Sequence, residues 1–262
     1  MIRLLALLAL ALYPYLTNGL GKRARFRVVH APCHAPSLQR KHIRRALALG
    51  ADSVAFSESY WRQKYLATRP RWRRFTGSSK KRDSYGRHRP VARDVTILVR
   101  RKHKIIDHGS FKAASQSTPL KIAPERWIVW VIYRVGGHNG FPVLHVALHP
   151  HAAVQGAWGT KRAAQYRREM RKLVALVRLQ RIKHPGLRVT VTGDLNYHPT
   201  GPVRPWSPKD VFAKLGLSYT ANGLDWIAWS TDLDTVGAAR AIPPRDNGQD
   251  HDWLVRTFRG GA

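Results

Sequence analysis

Val189-Thr190-Val191-Thr192-Gly193-Asp194-Leu195-Asn196 is the stretch from which the rest of the chain can be read. Its alternating Val and Thr favour an extended backbone. The strand stops at Gly193 and then presents a carboxylate and a carboxamide two residues apart. Alternation by two puts Asp194 and Asn196 on the same side. An Asp can hold an attacking or metal-bound water, and an Asn can orient that water or a phosphate oxygen. A Gly-Asp-x-Asn alone is also ordinary turn chemistry. Its weight comes from its company: Ser57-Glu58, Leu148-His149-Pro150, Gly223-Leu224-Asp225-Trp226-Ile227 and Gln249-Asp250-His251-Asp252.

Composition narrows the partners. The 262 residues suffice for one large domain with a substantial core. Lys and Arg number 46 against 15 Asp and Glu, a net charge of +31. A field of that size attracts polyanions, so nucleic acid is the first partner to consider and an anionic membrane surface the second. Arginine-favouring codon usage would produce the same composition. Cys33 is the only cysteine, which excludes an intramolecular disulfide and a cysteine-based zinc site. Residues 1–20 form a hydrophobic segment with Arg3 ahead of an apolar run. The run is long enough for a signal-peptide core and too short to span a bilayer, and no clear small-x-small cleavage site follows. It reads as a signal, a packed helix or the product of a misplaced start codon. A cytoplasmic location is favoured, with secretion the alternative. Residues 21–262 read as a single domain.

Along the chain, strands are expected at Phe26–His30, Asp52–Phe56, Asp94–Arg101, Trp127–Val135, Pro142–Leu148, Trp226–Trp229 and Trp253–Phe258. Gly136 to Gly140 marks a hairpin. Helices are expected over Ser37–Leu49, capped by Ser37, and Thr160–Lys183, where Leu173, Leu176, Val177 and Gln180 share a face. Residues 62–90 read as a basic loop. Its cations Arg71, Arg73, Arg74, Lys80, Lys81 and Arg82 would neutralise phosphates, and Trp72 among them would stack on a base. The alternative is a solvated loop whose aromatics tuck into the core.

The order Glu58, His149, Asp194-x-Asn196, Asp250-His251 resembles the endonuclease/exonuclease/phosphatase superfamily, of the deoxyribonuclease I-like kind, from about Phe26 to Phe258. The resemblance implies an α/β fold, a four-layer α/β/β/α sandwich with functional loops at one edge. It implies Mg2+ or Mn2+ as cofactor, with Glu58 and Asp250 as metal-binding carboxylates. Asp194 would orient the nucleophilic water and Asn196 would touch that water or the phosphate. His149 would bind the scissile phosphate or protonate the leaving group. His251 would act as general base or stabilise the transition state, with Asp225 orienting it. His145 and His151 flank His149 at even spacing, so on an extended strand the three share a face, and a His-rich zinc site competes with the carboxylate reading.

Two positions depart from the pattern. Ser57 stands where the family has Gln, and Gln249 where it has Ser. The family's first strand also ends in an Asn near the metal. Here the stretch is His30-Ala31-Pro32-Cys33-His34, and His30 or His34 is the candidate to replace it. The reading is a metal-dependent phosphodiesterase, foremost a nuclease, with DNA ahead of RNA, acting as a monomer without an obligate protein partner. The rivals are a phosphatase or lipid phosphodiesterase of the same fold, and a non-catalytic nucleic-acid-binding protein on a decayed nuclease scaffold.

Overall fold

The structure is a computed structural model and describes residues 24–32, 39–59, 62–77, 94–114, 126–152, 154–156, 158–244 and 251–260. Cys33, His34, Lys80, Lys81, Arg82, Gln249, Asp250 and the N-terminal 1–20 segment lie outside the described residues.

Two sheets face each other. The first contains β1 (Arg25–Ala31), β2 (Ser53–Phe56), β3 (Trp72–Thr76), β4 (Thr96–Arg100), β11 (Leu233–Thr235), β12 (Arg240–Ile242) and β13 (Trp253–Gly260), in the order β11-β13-β1-β2-β4-β3, with β12 also paired to β13. The second contains β5 (Lys104–Ala114), β6 (Arg126–Val135), β7 (Phe141–Leu148), β8 (Arg188–Asp194), β9 (Leu217–Asn222) and β10 (Asp225–Ser230), in the order β5-β6-β7-β8-β10-β9. Among the described residues the helices are α1 (Arg40–Ala48), α2 (Gln63–Ala67), α3 (Lys161–Lys183) and α4 (Pro208–Leu215).

Strand alternation builds the layers. Val189 and Val191 of β8 and Trp226 and Ala228 of β10 join Leu173, Val177 and Phe212 of α3 and α4 in one core. Their alternates Ile227 and Trp229 meet Phe26, Val28, Ile97 and Phe258 of the first sheet in a second core, between the sheets. Val29, Val54 and Leu98 face the other way, onto Ile43 and Ala46 of α1. The result is the four-layer α/β/β/α sandwich.

The long helix runs as expected. Thr160 caps it by accepting from the Ala163 amide, and Leu173, Leu176, Val177 and Gln180 are all buried. The first helix is shorter than expected, with Gln39 rather than Ser37 at its cap. Residues 62–90 are not all loop. Helix α2 and strand β3 occupy the start of this segment, and β3 pairs with β4 from Trp72↔Arg100 to Thr76↔Thr96. Trp72 is 7% exposed, packed with Leu98 and Phe56 and covered by the Arg100 guanidinium 5.2 Å from its ring centre. Its face is therefore unavailable for base stacking; the pleat points it into the core, while Arg71 and Arg73 are exposed and Arg74 half-buried.

Gly193 also differs from expectation. It lies inside β8 rather than ending it. A Cβ there would sit 2.2 Å from the Leu148 carbonyl oxygen of the neighbouring parallel strand. Glycine is what lets β7 and β8 close up beside the residues that follow them.

Candidate active site

The inter-sheet face carries polar groups at one end of the sandwich. His30 lies near the end of β1, Glu58 follows β2, His149 follows β7, Asp194 ends β8, Asp225 begins β10, and His251 precedes β13. β8 and β10 are antiparallel with Asp225 directly opposite Asp194. The end of one and the start of the other therefore share an edge. Pro32, Ser57, Glu58, Arg126, His149, Ala152, Asp194, Asn196, Leu224 and His251 line a cavity there of about 210 Å³.

Two carboxylates facing each other across a pair of strands repel. Histidines divide the two acids into different states. Asp225 is buried, which would raise its pKa, but its Oδ2 accepts from His251 Nδ1 at 2.9 Å and its Oδ1 from His30 Nε2 at 3.0 Å. These hydrogen bonds prevail and hold its carboxyl below the usual value. Asp194 is raised, first by burial and also by the Asp225 charge opposite, with His149 and His251 only partly offsetting this. Its Oδ1 accepts from the Asn196 amide at 2.9 Å. Its Oδ2 lies 3.7 Å from His149 Nε2 and 3.9 Å from His251 Nδ1. A carboxylate with raised basicity, aimed between two imidazoles at more than hydrogen-bond distance, is suited to a water or a phosphate oxygen between them.

His149 has its own carboxylate, which the sequence reading missed. Its Nδ1 lies 3.1 Å from Asp94 Oδ1 and 2.9 Å from Arg126 Nη1, and that Nη1 donates to Asp94 Oδ2 at 2.7 Å. Burial and Arg126 act against protonation of His149. Asp94, by charge and hydrogen bond, together with Asp194 overcomes them and raises the imidazole above its ordinary value. Asp94 is held well below the usual carboxylate range, since His149 and Arg126 outweigh its burial. Asp94 lies at the start of the Asp94–Arg101 segment, and no local motif sets either Asp94 or Arg126 apart; only the topology brings them to His149.

The backbone supports the same reading. Glu58 and Asn196 are two of the three non-glycine residues at positive φ among the described residues, at 51° and 50°. Such geometry persists where surrounding structure enforces it. The Glu58 amide donates to Asp94 Oδ1 at 3.3 Å. Asn196 lies beyond the end of β8, so a turn and not strand alternation brings it beside Asp194; its Nδ2 donates to the Pro150 carbonyl at 2.9 Å. The segment between is tied down by Leu195 N to the Leu224 carbonyl, Tyr166 Oη to the Leu195 carbonyl and Trp226 Nε1 to the Tyr197 carbonyl.

The alternative zinc site does not form. His145 binds Ser53 Oγ and Thr192 Oγ1, His151 binds Glu169, and only His149 reaches the cavity. Burial lowers His145 to about 3, aided by the charge of His30, so it acts as a neutral pin between the sheets. His30 does not take the place of the missing Asn either. It lies behind Asp225, and Pro32, just after β1, lines the cavity instead.

Comparison of whole structures gives the same architecture. The human Nocturnin catalytic domain with bound sulfate superposes with a TM-score of 0.65 over 91% of this chain and 95% of that one, at 16% identity. ANGEL2, a 2',3'-cyclic phosphatase in complex with adenosine-2',3'-vanadate, gives 0.66 over 92% and 97%, at 11% identity. An endonuclease/exonuclease/phosphatase family protein from Bacteroides thetaiotaomicron gives 0.63 over 90% and 98%, at 14% identity. The chain has the endonuclease/exonuclease/phosphatase fold. No protein-family model matches the sequence, and no curated protein matches it.

Within this fold, Asp194, Asp225 and His251 are the group among the described residues whose ligand atoms converge, within 4.8 Å. Both Asp225 oxygens are engaged by histidines, His30 and His251, while Asp194 Oδ2 stands 3.9 Å from His251. Glu58 and Asp194 are among the residues that line the cavity, and carboxylate oxygen is the donor type that a hard divalent cation takes.

Proposed function

We propose that this chain is a metal-dependent phosphodiesterase and, more narrowly, a nuclease that cleaves nucleic-acid phosphodiester bonds by water attack. The observation that carries the reading is Asp194 Oδ2 directed between His149 and His251, each histidine backed by its own carboxylate.

Asp194 holds the attacking water and draws its proton; its raised pKa suits that task. His149, whose pKa Asp94 raises, donates through Nε2 to a phosphate oxygen or to the leaving oxygen. His251 gives its Nδ1 proton to Asp225 in a hydrogen bond and so presents Nε2 to the phosphate. Asn196 fixes the water or a phosphate oxygen. Glu58, with Asp250 beside His251 in sequence, would hold Mg2+ or Mn2+, which when bound neutralises charge developing on the phosphate. The net charge of +31 supports a polyanionic substrate, DNA first, with Arg71, Arg73 and Arg74 and the neighbouring Lys80, Lys81 and Arg82 as phosphate contacts.

Supercoiled plasmid incubated with magnesium, manganese or chelator tests this. Metal-dependent nicking is expected. A second reading, a phosphatase of small phosphoesters, is favoured by the adenosine-2',3'-vanadate held by ANGEL2. Hydrolysis of nucleotide esters without nicking would establish it. Tight DNA binding with neither activity would instead indicate a decayed scaffold, the reading prompted by the missing first-strand Asn and by Ser57 in place of Gln.

A further inference from the structure

The inter-sheet face contains a group, next to the candidate site, that the mechanism above does not use. His30 is 1% exposed, near the end of β1 in the first sheet, and its Nε2 lies 3.0 Å from Asp225 Oδ1 in the second sheet. Its neighbours in the pleat, Phe26 and Val28, are apolar members of the inter-sheet core. A third apolar residue would complete that stripe, and burying an imidazole there costs free energy unless it is hydrogen-bonded.

We propose that His30 is a positioning residue for the reaction: it anchors Asp225 from behind, so that the carboxylate presents its other oxygen to His251 and fixes that imidazole toward the cavity. The inference rests on the phosphodiesterase reading for its kinetic consequence only; the geometry stands without it.

Three observations support it. Asp225 has two oxygens and each meets a different histidine, His30 at 3.0 Å and His251 at 2.9 Å, so the carboxylate is pinned at both ends. The tautomer follows from the partners. An ionised carboxylate only accepts, so His30 Nε2 carries the proton. His30 Nδ1 is buried with no hydrogen-bond partner among the described residues. Finally, β1 is clamped along its length, parallel to β2 and antiparallel to β13 with His30↔Leu254, and His251 lies three residues before that partner. The strand that carries the anchor thus pairs with the strand that follows directly on the histidine.

The test uses the full chain and four variants: His30→Leu, His30→Gln, Asp225→Asn, and the double variant that combines His30→Leu with Asp225→Asn. Gln can place an amide donor where Nε2 was; Leu cannot. Cleavage kinetics on plasmid should show kcat falling roughly tenfold to a hundredfold in His30→Leu, with KM unchanged, as for partners behind a catalytic group. His30→Gln should recover most of the loss. In the Asp225→Asn background His30→Leu should add little, because both act through one carboxylate. In parallel, the low-field Nδ1 proton of His251 in isotope-labelled protein should shift or broaden in His30→Leu and return in His30→Gln. Additive kinetic losses with an unmoved His251 proton would overturn the proposal and leave His30 a packing residue. A coupled His251 proton in a protein that cleaves no phosphoester would sustain the anchoring role of His30 and refute the nuclease reading instead.

Discussion

His149 and His251 are each held by an aspartate, but the two aspartates differ in how they are supported. Asp94 is shared between His149 and a guanidinium, whereas Asp225 is shared between two imidazoles. Removing the charge of Asp94 should therefore do two things. It should lower the pKa of His149, because the burial and Arg126 effects it offsets would then dominate. It should also leave Arg126 without its carboxylate. Asp94→Asn is expected to reduce kcat by about 10²-fold, within the usual span for a general acid, and to move the alkaline limb of the pH–rate profile to lower pH. An unchanged alkaline limb would show that His149 does not act as the protonated donor.

At the scale of the element, Gly193 determines how closely β7 and β8 approach. A methyl group there would meet the Leu148 carbonyl oxygen at 2.2 Å and Leu195 Cδ2 at 2.9 Å. The residues beside it are His149 and Asp194, so any relief of the clash displaces the site. Gly193→Ala is expected to cost about 1–3 kcal/mol in urea unfolding, the usual span for overpacking, together with a loss of activity larger than the stability loss explains. An alanine variant of wild-type stability would contradict this packing. Strands with clean apolar runs, such as β6, β7 and β8, were legible in the sequence, as was the long helix α3 with its cap. Edge strand β5 was not. Its residues are mostly half-exposed, so Lys104–Ala114 carries no marked alternation. β3 was concealed by its arginines, since an edge strand can carry charge on one face while Trp72 faces the core on the other.

Across the whole molecule, polar contacts pin the sheets together: His30 to Asp225, Ser53 to His145, and Asp94 to Arg126. At the other end of the sandwich, Asp52 accepts from His103 at 2.9 Å and from the Arg27 amide at 2.9 Å, with Lys102 alongside at 2.7 Å. Burial would raise the Asp52 pKa, but these contacts prevail and lower it from 3.8 to about 2. A depressed carboxylate contributes stability that is present above its unfolded value and lost as pH falls. Wild type should therefore lose about 2 kcal/mol through this group between pH 4 and pH 2, and Asp52→Asn should lose correspondingly less; parallel urea curves for the two proteins would refute the assignment. The charge of +31 makes a second molecular prediction. With about six phosphates neutralised, the logarithm of DNA affinity should fall against log salt with a slope of roughly −5, and a flat response would remove nucleic acid as the partner.

Most of the candidate site was also legible at this scale, because Glu58, His149, Asp194, Asn196, Asp225 and His251 each stand in a short local signature. Asp94, Arg126 and His30 do not. They reach the site only through the pairing of distant strands, and a one-dimensional pattern carries no trace of that. The measurement that tests the central claim most directly is the rate of magnesium-dependent DNA cleavage by wild type beside Asp194→Ala and His251→Ala, all shown to be folded. Wild type should cleave and both variants should lose at least about 10²-fold in rate. Full activity in purified Asp194→Ala would contradict the proposed role of Asp194.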